Sequence, residues 1–125
     1  MDKEKMVNNI RYTLTSFIDE IFDINMAMLI KDLNKDTYTF LLSSNGFNTL
    51  TPFEATKLAA KFFYERLDSE DFSGISRINI VHTCDPSIRC IYQAMNIKGG
   101  IVHMQNCQIF NVLIEDAILL ESHID

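Results

Sequence analysis

Every histidine and cysteine of this chain falls between His82 and His123: His82, Cys84, Cys90, His103, Cys107 and His123. Imidazole nitrogen and thiolate sulfur are the donors of tetrahedral zinc sites, and a cysteine beside a histidine is a nucleophile with its base. The elements that hold these side chains decide between such chemistry and plain packing. Ile75 to Thr83 alternates, with Arg77 and Asn79 on one face and Ile78 and Ile80 on the other, as a half-buried strand does. Asp85-Pro86-Ser87 reads as a turn, and Ile88, Cys90, Tyr92 and Ala94 then alternate with Arg89, Ile91, Gln93 and Met95.

If both strands face one core, Ile78 pairs with Ala94 and Ile80 with Tyr92 across a three-residue loop. His82 then lies opposite Cys90, with Cys84 beside Ile88 on the same face. Against a site stands the habit of cysteine to bury as a small hydrophobe, and the chain lacks the Cys-x-x-Cys knuckles of a specific zinc motif. The trio is therefore assigned to sheet packing, and no catalytic, cofactor-binding or metal-ligating residue is assigned. His103 alternates against Val102 and Met104 and so shares an outward row with Gln105 and Cys107, while His123 is expected in solvent.

Other chemistry has less support. Gly99-Gly100 lacks the spacing and the lysine of a phosphate-binding loop, and there is no Gly-x-Ser-x-Gly nucleophile turn. Glu115 and Asp116 are adjacent and would diverge on a strand, and Glu54 is explained by helix capping.

The 125 residues suit one globular domain, 47% hydrophobic and 22% charged, and only four glycines and two prolines argue against long disordered stretches. Seventeen acidic against eleven basic residues leave a formal charge of −6. The basic residues are scattered singly, so nucleic acid is a poor partner, and a basic protein or a cation is the better electrostatic match. No segment resembles a signal peptide or approaches the roughly 20 apolar residues that span a bilayer. Three cysteines leave one unpaired in any disulfide scheme, which fits a reducing, cytoplasmic setting without membrane contact.

The remaining elements follow from periodicity. Met6, Ile10, Leu14, Phe17, Ile18 and Ile21 repeat at steps of three and four, predicting an amphipathic helix from Glu4 to about Asp23. Met26 to Ile30 is a continuous apolar run, expected as a central strand or a dimer contact, and it forms a hairpin with Thr37 to Leu42. Thr51-Pro52-Phe53-Glu54 is a capping box with proline at the first helical position. It starts a helix to about Leu67 that turns Phe53, Leu58, Ala59, Phe62 and Phe63 inward, and the acidic loop Ser69 to Gly74 ends it. Lys98-Gly99-Gly100 is a second turn, Val102 and Met104 continue the sheet, and Ile109 to Glu121 is read as a strand bent near Glu115, with a terminal helix as the alternative.

These elements predict an α+β domain: an antiparallel sheet of five or six strands with two amphipathic helices on one face, in the order helix, hairpin, helix, three or four strands. That order resembles roadblock-type dimerisation modules at the level of elements, with no motif residue in common and no function carried over. The functional expectation is a small acidic protein acting by association, as a homodimer or as an adaptor or inhibitor of another protein, with no catalysis of its own. Its surplus apolar surface lies in Met26 to Ile30 and Ile109 to Leu120. The alternative is a small-molecule-binding protein or modest enzyme, with Tyr12, Phe17, Phe62 and Tyr92 lining a pocket between helices and sheet and His82, Cys84 and Cys90 supplying polar chemistry.

Overall fold

The structure, a computed structural model, describes residues 2–109 and 112–124. In chain order the elements are α1 (Lys3–Glu20), β1 (Met26–Lys31), β2 (Tyr38–Ser43), α2 (Asn45–Asn48), α3 (Pro52–Arg66), α4 (Ser69–Ser73), β3 (Ile75–Ile80), α5 (Pro86–Ala94), β4 (Val102–Ile109) and β5 (Val112–Ser122). The five strands form one sheet in the order β3-β2-β1-β5-β4. The fold is α+β, but the sheet is mixed: β2 and β3 run parallel, and the other pairs are antiparallel.

Local signals start the helices. The Asp2 carboxylate accepts the Lys5 amide at 3.1 Å to cap α1, whose Met6, Ile10, Leu14 and Phe17 are fully buried. The α3 capping box forms as expected, with Thr51 Oγ1 accepting from the Glu54 amide at 3.2 Å and Glu54 Oε1 accepting from the Thr51 amide at 3.0 Å. The inward set of α3 is Ala55, Ala59, Phe62 and Phe63, whereas Phe53, in the first turn, is 75% exposed. The expected acidic loop is instead the short α4, capped by Asp68, with Asp71 buried and accepting from Asn9 Nδ2 at 2.6 Å.

The hairpin β1–β2 is present, and β1 is the central strand, with Met26 to Leu29 buried. Alternation sends Ala27, Leu29, Phe40, Leu42 and Ile118 to one face, where α1, α2 and α3 cover them. Met26, Met28, Leu41, Ala117 and Leu119 go to the other, against Ile88 and Tyr92 of α5. Helices thus lie on both faces of the sheet, not on one.

The main correction concerns Ile88 to Met95, which is helix rather than strand. Asp85 Oδ1 accepts from the Ser87 amide at 3.0 Å and Pro86 takes the first turn, so the residues read as a hairpin turn are a helix start. Ile88, Ile91, Tyr92 and Met95 lie at helical spacing and all pack on the second face. With no strand there, β3 pairs in parallel with β2 instead, Phe40 opposite Ile78 and Leu42 opposite Ile80.

The segment read as one bent strand, Ile109 to Glu121, belongs to two: Ile109 ends β4, and Val112 to Glu121 lie in the antiparallel β5, with residues 110 and 111 outside the described residues. Two irregularities shape this end of the sheet. The pairing of β1 with β5 shifts at Ala27/Met28, so that Leu120 and Glu121 both reach the α1 side. In β4, Asn106 takes φ 52°, and past this left-handed residue Cys107 joins Met104 on the α5 side.

Candidate functional site

The trio does not assemble. His82 and Cys84 lie in the loop between β3 and α5, where the Cys84 amide donates to His82 Nδ1 at 3.0 Å, and Cys90 lies on the solvent side of α5; all three are exposed. The core-facing register failed with the strand that defined it. Nor do His103 and Cys107 form an outward row, since His103 is exposed while Cys107 is half-buried against the α5-side core. Among the described residues, no group of three His, Cys, Asp or Glu is arranged to hold a metal ion.

The proposed aromatic cavity is also redistributed. Tyr12 is 77% exposed, Phe17 and Phe62 pack edge to face at 4.9 Å in the α1–α3 core, and Tyr92 lies on the opposite face of the sheet. Tyr92 and Cys84 do share a cleft of about 260 Å³ at the end of the sheet, with Asn45, Arg89, Gln93 and Ile124. Among the described residues, neither the Tyr92 hydroxyl nor the Ser43 hydroxyl of β2 has a hydrogen-bond partner in bonding geometry. Burial pushes the Tyr92 phenol above its ordinary value, and the Ser43 hydroxyl nearby pulls in the opposite direction.

His123 is 5% exposed, not solvated, and belongs to a buried charged cluster absent from the sequence reading. Its Nε2 lies 3.1 Å from Glu121 Oε1. The other Glu121 oxygen takes Arg11 of α1 at 2.6 Å and the Gly99 amide at 2.9 Å. Arg11 Nη1 also donates to the Leu120 carbonyl at 2.6 Å and the Gly100 carbonyl at 3.1 Å. Gly99 has φ 67°, the left-handed conformation that glycine adopts without strain as its amide meets the carboxylate. With both oxygens of Glu121 partnered, this cluster fastens α1, the turn before β4 and the end of β5 together. Its legible signal was Glu121 itself, a carboxylate closing an apolar strand.

The sheet's own margin is the third feature. β4 is an edge strand bonded to β5 alone, and Val102 to Ile109 contains no Lys, Arg, Asp, Glu or Pro. Around it Val102, Met104, Cys107, Ile114 of β5 and Ile30 of β1 are only half-buried at the border of the α5-side core, and Leu113 is 66% exposed. The opposite edge, β3, has six residues and carries the exposed Arg77. Among the described residues, no helix is long and apolar enough to cross a membrane. Comparison with protein-family models, curated proteins and solved structures gives no significant match.

Proposed function

We propose that this protein acts by protein association, pairing through the β4 edge and the half-covered sheet surface beside it, with a second copy of the chain as the first partner. An adaptor or inhibitor of another protein would use the same surface. The observation that carries the reading is the uncharged, proline-free eight-residue edge of β4. An edge of that kind is a template for a further strand where charge, proline or a bulge does not block it, and its regular part is Val102 to Gln105, before the left-handed Asn106.

Charge favours a homotypic contact at this place. Two copies of a chain of charge −6 repel one another in general, yet β4 brings no like charges together when it pairs with itself. The apolar run of β1 supports the reading in part: α5 covers Met26 and Met28, and Ile30 remains at the border with Ile114 and Met104. Sedimentation velocity at micromolar concentration tests it. The native chain is expected as a dimer and Met104→Lys as a monomer; a strict monomer for the native chain counts against the reading.

A further inference from the structure

We infer that the cleft lined by Asn45, Cys84, Arg89, Tyr92, Gln93 and Ile124 binds a small monocarboxylate with an apolar body, an activity separate from association through β4. The position of the cleft is the first argument. β2 and β3, the parallel pair of the sheet, both end here, with Asn45 just past one strand and Cys84 past the other. The chain reaches β3 by way of α3 and α4 on one face and leaves it into α5 on the other. In open parallel α/β sheets the crevice outside the carboxyl ends of the strands, where the connections change faces, is a general place for ligands, and the β2–β3 pair has that arrangement locally.

Polar groups with unused capacity converge on the cleft. Neither the Arg89 guanidinium nor the Gln93 amide, one helical turn apart on α5, has a hydrogen-bond or ion-pair partner among the described residues. Tyr92, 7% exposed, lends the wall its ring only, because its hydroxyl is buried beside the Ser43 hydroxyl and out of a ligand's reach. Asn45 is already engaged, its side-chain oxygen accepting from Thr83 Oγ1 at 3.3 Å, and so it shapes the wall.

Charge selects the ligand class. Among the described residues, Arg89 is the one formally charged residue of the lining, on a chain of net negative charge. A guanidinium fork matches one carboxylate in a bidentate pair. A phosphate dianion fits poorly, because the Asp85 carboxylate already caps the start of α5 and adds negative charge beside the amides that would hold it. The Tyr92 ring and the Ile124 side chain supply apolar wall. A volume of about 260 Å³ lies just below the usual range of ligand pockets and limits the guest to a small molecule.

Amide chemical-shift titration of the intact protein tests this with three probes: benzoate, the uncharged benzamide and phenyl phosphate. Benzoate is expected to move the signals of Cys84, Arg89, Tyr92 and Gln93 saturably, with affinity about tenfold or more above benzamide. Arg89→Gln, an exposed position whose spectrum should otherwise be retained, is expected to bring benzoate down to the level of benzamide. No response to benzoate, an equal response to benzamide, tighter binding of phenyl phosphate, or undiminished benzoate binding by Arg89→Gln would overturn the inference. Because the readout is local to α5 and the loop before it, it is independent of whether β4 pairs.

Discussion

The two faces of the sheet share the same strands but are closed by different means. On the α1–α3 face, Phe17 stands among Phe62, Phe22, Phe47 and Phe63 at ring-centroid distances of 4.9 to 6.2 Å, and Phe40 of β2 meets Phe63 at 5.1 Å. On the other face a nine-residue helix covers Met26, Met28, Leu41, Ala117 and Leu119, and the core fades to half-buried side chains as it nears β4. The first face is a finished interior with interlocking rings. The second ends in apolar surface beside an open edge, and there an association surface can exist without disturbing the core that holds the fold.

Substitution sharpens this contrast. Phe17→Ala removes the hub of the ring cluster and is expected to cost about 4 kcal/mol in chemical denaturation, since neighbouring rings and strands cannot close the space. Ile88→Ala, at the centre of α5, is expected to cost less, about 2–3 kcal/mol, because the thin α5 layer can settle towards the sheet. Equal or reversed costs would break the distinction between the faces. Smallest is Asp85→Ala, which deletes the cap of α5 for about 1 kcal/mol and should speed amide exchange in α5 while leaving α1 and α3 unchanged. Faster exchange spread over both faces would mean that α5 and the ring core unfold as one unit.

What could be read from the residues in advance also follows this divide. α3 was legible because Thr51, Pro52 and Glu54 carry their instructions within four residues, and β1 because a strand buried on both faces needs an unbroken apolar run. α5 was not, because Ile88, Cys90, Tyr92 and Ala94 alternate while Ile88, Ile91, Tyr92 and Met95 also follow a helical period. Asp85-Pro86 was the deciding signal, using the same proline at the helix start as Thr51-Pro52, with an aspartate cap instead of a threonine. The parallel pairing of β3 with β2 depends on which strand remains to accept it, so misreading α5 carried the Cys and His register with it. The Arg11–Glu121–His123 cluster joins distant parts of the chain, and only the charged Glu121 after Leu119-Leu120 hinted at it.

The association account rests on β4, and hydrogen exchange resolved along that strand tests it most directly. On raising the protein from nanomolar to tens of micromolar, amides from Val102 to Gln108 are expected to become protected while those of β3, the edge that carries Arg77, keep their rates. Exchange in β4 that is indifferent to concentration, or protection that appears on β3 instead, would contradict the assignment of β4 as the pairing edge.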